Sequence, residues 1–158
     1  MTSLAPIIIE NAKVTGISPL LIAAVIHQES WGNIYAVRYE PAFERKYLSK
    51  KTKGSLEGYV PKVCTLDTEI KLRATSFGCV QLLGQVARER GFKGEFLTEL
   101  FDPALNIKLG SEFLHTLLLK HDSPEKALLR WNGGGDPDYG KKVLRHVDTG
   151  DCQYLLCS

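Results

Sequence analysis

Apolar residues recur at helical spacing over most of the chain, separated by short polar stretches that contain glycine or proline. Residues 3–14 carry one apolar face, and residues 20–26 are almost wholly apolar. The second pattern predicts a buried helix that starts at Pro19, after the N-cap residue Ser18, and stops at Gly32. We therefore expect the rest of the chain to pack around this helix.

Four serine-proline or aspartate-proline pairs give the starts of further helices, because such pairs combine an N-cap with a proline at the first helical position. They predict helices from Pro19, over 103 to about 120, over 124 to about 131, and over 137 to about 146. Ser76 is expected to cap another helix over about 77–90, which Gly91 would end. These helices predict an all-α fold class.

Downstream of the apolar helix the pattern is less regular. We expect a short helix over about 43–48, then a flexible or inserted segment over 49–66, where lysine, glycine and serine are frequent. Tyr59 and Val60 would pair with neighbouring residues as a small hairpin, and the tail from Thr149 is expected to pack loosely. The prediction is a mainly α protein with at most one small β-hairpin.

Composition limits the class of protein. With 158 residues, 44% of them hydrophobic, the chain suits one domain over 1–158 with its core at about 18–147. The 20 basic and 18 acidic residues leave a net charge of +2, which is too balanced to indicate a nucleic-acid partner. No apolar run reaches the about 18 to 20 residues of a membrane span, so we expect no stable membrane insertion. Nothing in the pattern indicates an obligate oligomer, and we expect a monomer.

Cysteine and histidine spacing predicts neither a metal site nor a cofactor. The four cysteines lack zinc-ligand spacing, and the histidines share no ligand spacing (Cys64, Cys79, Cys152 and Cys157; His27, His115, His121 and His146). His27 and Glu29 lie two residues apart on one helix and point to different sides. Cys79 is expected in the core, whereas Cys152 and Cys157 either bridge a short loop in an oxidising compartment or stay free.

Glu29 is the strongest candidate for chemistry. It lies in the last turn of the apolar helix, where the negative end of the helix dipole and the apolar surroundings both disfavour an ionised carboxylate. A raised pKa would keep its proton near neutral pH, as a general acid requires. The alternative is a surface glutamate at an ordinary helix end.

Three later segments favour the catalytic interpretation, namely 74–81, 102–114 and 130–134, the last followed by Tyr139 and Val143. Together with the Glu-Ser pair at 29–30, they resemble the lytic transglycosylase (SLT) family of the goose-type lysozyme superfamily. That family has, in order, a Glu-Ser pair, a Gly-Leu-Met-Gln block, a helix with Asp-Pro and Asn-Ile, and an Ala-Tyr-Asn block.

The resemblance extends over about residues 18–147. The Arg-Tyr-Glu-Pro run at 38–41 and the Asn-Gly-Gly ending at 132–134 look most like phage and prophage members, such as endolysins. The resemblance implies a lysozyme-like helical domain that cleaves the β-1,4 bond between N-acetylmuramic acid and N-acetylglucosamine in peptidoglycan glycan strands. It also implies that one carboxylate, here Glu29, acts first as acid and then as base, forming a 1,6-anhydro end without a cofactor.

Residues 1–11 have no basic segment, too short an apolar run and no small-residue cleavage site for a secretory signal. We therefore expect synthesis in the cytoplasm, with action on the cell wall or periplasm after delivery or lysis.

The resemblance also implies roles for the residues of the first two motifs. Ser30 would bond its own helix end or the facing loop, and Gly78 would let the backbone approach the cleft. Gln81 matches the family glutamine that can bond acetamido groups, and Phe77 and Leu83 would line the cleft.

The Ala-Tyr-Asn block departs from the family pattern, because Trp131 replaces the tyrosine whose hydroxyl orients the acid. Either the indole walls off Glu29, or Tyr139 or Tyr35 supplies the hydroxyl. Asn132 matches the family and is expected to bond backbone at the cleft floor.

Two other functions remain open from the sequence. If Glu40 faces Glu29 at the separation of inverting glycosidases, roughly 6.5–9.5 Å, it would activate water and make the protein a hydrolytic muramidase. Otherwise Glu40 is a surface glutamate before Pro41. A catalytically silent peptidoglycan-binding or assembly component is the alternative from another class, with activity lost through Trp131.

Overall fold

A computed structural model describes residues 3–157. Eight α-helices lie within these residues: α1 (Ala5–Thr15), α2 (Pro19–Ser30), α3 (Pro41–Phe43), α4 (Leu66–Arg73), α5 (Gly84–Glu89), α6 (Pro103–Lys120), α7 (Pro124–Trp131) and α8 (Tyr139–Thr149). A π-helix, Glu44–Leu48, continues α3, and short 3₁₀ helices span Lys53–Ser55, Leu97–Phe101 and Gln153–Leu156. The fold class is mainly α, as the sequence predicts.

Helix α2 lies at the centre of the main hydrophobic core. Its residues from Ile22 to His27 are buried, and it packs against α1, α8 and the 3₁₀ helix Gln153–Leu156. Because α2 is apolar on every side except at its last turn, burial on all sides stabilises it and leaves its C-terminal end for polar contacts.

The predicted caps explain where the later helices begin. Asp102 Oδ1 accepts hydrogen bonds from the backbone N–H of Ala104 and Leu105 at 2.8 and 3.0 Å, so α6 starts as expected. Ser123 caps α7 in the same way. The last helix starts later than predicted, at Tyr139, because Asp136 uses its side chain to accept the N–H of Asp138 and closes a turn first.

The predicted helix over 77–90 is wrong in its first half, and only α5 (Gly84–Glu89) is helical there. Residues 77–83 instead contribute to a three-stranded antiparallel sheet in the order β1 (Val37–Tyr39), β2 (Thr75–Phe77), β3 (Leu82–Leu83). Val37 pairs with Phe77, which in turn pairs with Leu82. The physical reason is the connection between β2 and β3, where Gly78 and Gln81 both take positive φ, 71° and 49°, which a right-handed helix cannot accommodate.

The small hairpin therefore exists, but not at Tyr59 and Val60, which lie in irregular chain between two turns. The surrounding segment is tied to the fold by a buried cluster of charged side chains. Arg73 donates to Glu69 at 2.7 Å and also to the backbone carbonyl of Glu57, while Arg88 lies 3.4 Å from the same Glu69 oxygen. The segment over 49–66 is thus anchored at its centre.

The C-terminal tail packs closely, contrary to expectation. Cys152 and Leu155 are buried against α1 and α2, because the tail carries its own 3₁₀ helix with apolar side chains on the inner face.

Cys152 and Cys157 do not form the bridge considered from the sequence, and all four cysteines are free. Cys79 lies in the core, as predicted, and burial raises the pKa of its thiol to about 12. Within 3–157, no helix combines the length and apolar character that a membrane span needs.

Candidate active site

A cleft of about 320 Å³ opens where the C-terminal end of α2 meets the sheet and helices α6 and α7. Glu29 lies in it at the end of α2, with the hairpin residues Gln81 and Leu83 on one side and Trp131 on another. The remaining lining residues are Arg38, Glu40, Phe43, Ser76, Leu82, Val86, Phe113, Arg130, Asn132 and Gly133. The cleft therefore combines an apolar wall with two carboxylates and two guanidinium groups.

Two neutral side chains donate hydrogen bonds to the Glu29 carboxylate. The Tyr139 hydroxyl donates to Oε1 at 2.6 Å, and the Trp131 indole N–H donates to the same oxygen at 3.0 Å. Tyr139 is itself buried at the start of α8. Because both donors use Oε1, Oε2 is the oxygen left to carry a proton.

Burial raises the pKa of Glu29, and the hydrogen bonds from Tyr139 and Trp131 partly offset that rise. The nearby Arg38 charge also lowers the pKa, and Glu40 raises it slightly. The result is a carboxyl group that keeps its proton above the ordinary range of glutamate and still has donors ready for its ionised form. These are the properties of a general acid that later acts as a base.

The backbone around Glu29 is fixed by the end of its helix. Trp31 takes a left-handed conformation (φ 56°), and its N–H closes the helix on the carbonyl of His27 at 3.1 Å. Ser30 Oγ donates to the carbonyl of Cys79 at 2.7 Å and lies 3.4 Å from that of Ile26. Ser30 therefore joins the helix end to the facing loop, the two partners expected for it.

The loop between β2 and β3 is organised by Asn106. This residue belongs to the Asn-Ile motif of α6, but it was not predicted as a site residue. Its amide donates to the carbonyl of Phe77 at 2.9 Å, and its Oδ1 accepts the N–H of Val80 at 3.0 Å. Gly78 lies directly against this side chain, and a Cβ there would come within 2.6 Å of it. Glycine is therefore required at 78 for both its φ and its close approach.

Gln81 lies in the cleft, where its amide donates to the carbonyl of Gly78 at 3.0 Å. Asn132 also lines the cleft, and its Oδ1 accepts the N–H of Asp136 at 2.8 Å, a backbone contact of the kind expected. Phe77 does not line the cleft. It is 1% exposed and packs its ring 5.4 Å from that of Phe101, because its position in β2 points it into the core.

The structure decides which residue supplies the hydroxyl at Glu29. Tyr35 is 72% exposed and has its ring 6.3 Å from that of Phe101, whereas Tyr139 contacts the acid directly. Trp131 forms part of the cleft wall, the other possibility raised by the sequence, and its N–H also reaches the carboxylate, which the sequence did not indicate.

Glu40 lies in the same cleft, paired with Arg38, whose Nε is 2.5 Å from Glu40 Oε1. Arg38 and Arg130 were not predicted as site residues. The only sequence signal for Arg38 was its place in the Arg-Tyr-Glu-Pro run, and Arg130 precedes the tryptophan of the last motif.

Comparison with known proteins agrees with this geometry. The family model described as "Transglycosylase SLT domain" matches residues 6–145. No curated protein and no solved structure shows significant similarity to the chain. The matched region contains Glu29, both of its donors and the hairpin held by Asn106. The chain therefore belongs to the SLT transglycosylase domain family, whose members are lytic transglycosylases acting on peptidoglycan.

Proposed function

We propose that the protein cleaves the bond between N-acetylmuramic acid and N-acetylglucosamine without water, leaving 1,6-anhydromuramic ends, with Glu29 as acid and base. The observation that carries this proposal is the pair of neutral donors on Oε1 of a carboxyl group whose burial raises its pKa. Glu29 lines a cleft of about 320 Å³ that is bordered by apolar side chains, where the proton on Oε2 would meet the glycan.

In the first step, Glu29 Oε2 gives its proton to the glycosidic oxygen as the bond from C1 to that oxygen breaks. Positive charge develops at C1, and negative charge appears on the carboxylate. The Tyr139 hydroxyl and the Trp131 N–H are already aimed at Oε1, so they stabilise this charge without rearrangement.

In the second step, the C6 hydroxyl of the muramyl residue attacks C1 and gives its proton to the Glu29 carboxylate. The acid is thereby regenerated, and no water molecule is consumed. One carboxylate suffices for both steps, provided that its pKa lets it donate a proton to the glycosidic oxygen and then accept one from the C6 hydroxyl. Burial and the two donors, acting in opposite directions on the pKa, support that requirement.

Trp131 fits this scheme although it replaces the family tyrosine. Its N–H donates to the acid, and the hydroxyl comes from Tyr139 on the next helix. We therefore propose that the exchange preserves activity. We also propose that Gln81 and Asn132, both in the cleft, contact the acetamido and hydroxyl groups of the glycan.

Hydrolysis assisted by Glu40 is the second candidate, favoured by the place of Glu40 in the same cleft. A base that activates water needs an unoccupied carboxylate oxygen in the right position. The contact with Arg38 pairs the charge of Glu40 and engages only its Oε1, which leaves Oε2 for a water molecule, so the reaction products distinguish the two candidates. The site of action we propose is the cell wall or periplasm, reached after delivery or lysis.

Mass spectrometry of the fragments released from purified peptidoglycan tests the proposal. We expect 1,6-anhydromuramic ends from the wild-type protein and from Glu40→Gln, and no products from Glu29→Gln. Reducing ends that disappear in Glu40→Gln would overturn it in favour of hydrolysis.

A further inference from the structure

A second cluster of polar side chains lies beside α2, outside the cleft. His27 on α2, His146 on α8 and Asp151 just after α8 bring their nearest nitrogen and oxygen atoms to within 4.8 Å of one another. This group could not be predicted from the sequence, because the three residues share no ligand spacing along the chain.

The hydrogen bonds of His146 orient it as metal-bound histidines are oriented. Its Nε2 lies 3.0 Å from Oε1 of Gln28, and its Nδ1 faces both carboxylate oxygens of Asp151 at 2.9 and 3.0 Å. A ligating histidine usually donates its second ring N–H to a carbonyl or carboxylate, which fixes the tautomer and leaves the other nitrogen for the metal. Gln28 is placed to accept that N–H.

His27 has a comparable second contact. Its Nδ1 lies 3.2 Å from the hydroxyl of Tyr154, and within residues 3–157 its Nε2 has no hydrogen-bond partner. The ring centroids of His27 and His146 are 4.5 Å apart. One ring nitrogen of each imidazole therefore lies within 4.8 Å of the other and of an Asp151 oxygen, and each ring has a second side chain in hydrogen-bond contact with it, Tyr154 for His27 and Gln28 for His146.

Burial across the group changes from one side to the other. His27 is 4% exposed, the side chain of His146 is 19% exposed, and that of Asp151 is 48% exposed. A cation would thus have protein ligands on the inner side and open access to solvent on the outer side, where water completes its coordination.

The ligand atoms must move closer for a metal to bind. In a tetrahedral site with bonds of about 2.0–2.1 Å, ligand atoms lie about 3.3–3.4 Å apart. Since all separations here are within 4.8 Å, they have to shrink by at most about 1.5 Å. The two more exposed members can make this adjustment by side-chain rotation, and Asp151 follows Gly150, which has a left-handed φ of 71° at the end of α8.

We propose that His27, His146 and Asp151 form a binding site for a divalent transition-metal ion, with Zn²⁺ as the best match. Two imidazole nitrogens, one carboxylate oxygen and water form a donor set suited to zinc, whereas Ca²⁺ and Mg²⁺ prefer oxygen ligands alone. The bound ion joins α2, α8 and the C-terminal segment, so it stabilises the fold. This inference is independent of the catalytic proposal.

The test uses the untagged protein, freed of metal with a chelator and titrated with Zn²⁺ by calorimetry and with Co²⁺ by visible absorption. We expect one equivalent to bind, with the intense Co²⁺ bands of tetrahedral coordination. Zn²⁺ should also raise the midpoint of thermal unfolding, because it binds the native state preferentially.

Variants locate the site. Asp151→Asn and His146→Gln should each weaken Zn²⁺ binding at least about tenfold, and Gln28→Met about tenfold through loss of the supporting bond. Asp151 is exposed, so its variant tests the site without disturbing the core. Asp148→Asn, on the exposed side of α8, and His115→Gln, on α6, are the matched controls and should bind like the wild type.

Absence of binding at millimolar Zn²⁺ and Co²⁺ would overturn the proposal and leave His146 and Asp151 as an ion pair at the end of α8. Binding that is unchanged in both Asp151→Asn and His146→Gln would overturn it equally, because the ion would then lie elsewhere.

Discussion

Two glutamates in this protein are taken out of solvent by opposite means. Glu69 is buried next to the guanidinium groups of Arg73 and Arg88, and its negative charge is paired with permanent positive charge. Glu29 is partly buried and contacts two neutral donors, Tyr139 and Trp131. Paired charge suits a fixed structural link, whereas neutral donors leave a carboxyl group able to gain and lose a proton.

The comparison predicts that removing the charge of each glutamate damages a different property. Glu29→Gln should lower the rate of peptidoglycan cleavage by about 10²–10⁴-fold, the usual contribution of a general acid or base. Fragment release from purified peptidoglycan measures it.

The same variant should not lose stability. Because the native pKa of Glu29 is raised, ionisation as the pH rises through that pKa destabilises the native state, and a neutral glutamine avoids this cost. Denaturant unfolding above neutral pH should therefore give Glu29→Gln a stability equal to or above that of the wild type. A clear loss of stability would mean that Glu29 is a structural residue.

Glu69→Gln should show the reverse effect. Removing one partner of a buried ion pair leaves the guanidinium groups of Arg73 and Arg88 without their carboxylate, at a cost of about 3–5 kcal/mol in the free energy of unfolding. The control is Glu112→Gln, which breaks an exposed pair with Lys108 and should change stability by about 0.5 kcal/mol or less. Equal losses in the free energy of unfolding for Glu69→Gln and Glu112→Gln, measured in urea, would contradict a structural role of the buried ion pair.

Tyr139→Phe sharpens the comparison by removing one neutral donor and keeping the ring. The hydrogen bond favours the ionised form of Glu29, so its loss should raise the pKa of Glu29 further and shift the alkaline limb of the pH–rate profile up by about one pH unit. The maximal rate should fall, since the carboxylate formed during cleavage loses a donor. A shift to lower pH would contradict the proposed contact.

The smallest effect is expected for Ser30→Ala, which removes the hydrogen bond between the end of α2 and the carbonyl of Cys79. We expect a loss of about 1 kcal/mol in the free energy of unfolding. Ser49→Ala removes a comparable bond to Arg45 on the surface and should have almost no effect. Unfolding curves of both variants, recorded side by side, measure the difference.

Much of the fold follows from local signals. The apolar run of α2 and the caps at Asp102 and Ser123 lie next to the structure that they determine, and they predicted it correctly. Glu29 could be singled out because its position in the last turn of the apolar helix α2 is local, although the groups that contact its carboxylate, Tyr139 and Trp131, come from distant segments.

The errors have a common physical origin in contacts between distant residues. The hairpin of β2 and β3 replaced a predicted helix because Asn106, on α6, fixes the turn that Gly78 begins. The group of His27, His146 and Asp151 could not be predicted because its members come from separate parts of the chain. The sequence left open whether Trp131 walls off Glu29 or another residue supplies a hydroxyl, because the contact of Tyr139 with the same carboxylate joins α8 to α2.

The central claim is that burial raises the pKa of Glu29, while the hydrogen bonds from Tyr139 and Trp131 stabilise its ionised form. A ¹³C NMR titration of the side-chain carboxyl groups, with Glu29→Gln to assign the signal, tests this most directly. The account predicts that Glu29 titrates clearly above the ordinary glutamate value of 4.5, and higher still in Tyr139→Phe. Titration at or below 4.5 in the wild type would contradict it.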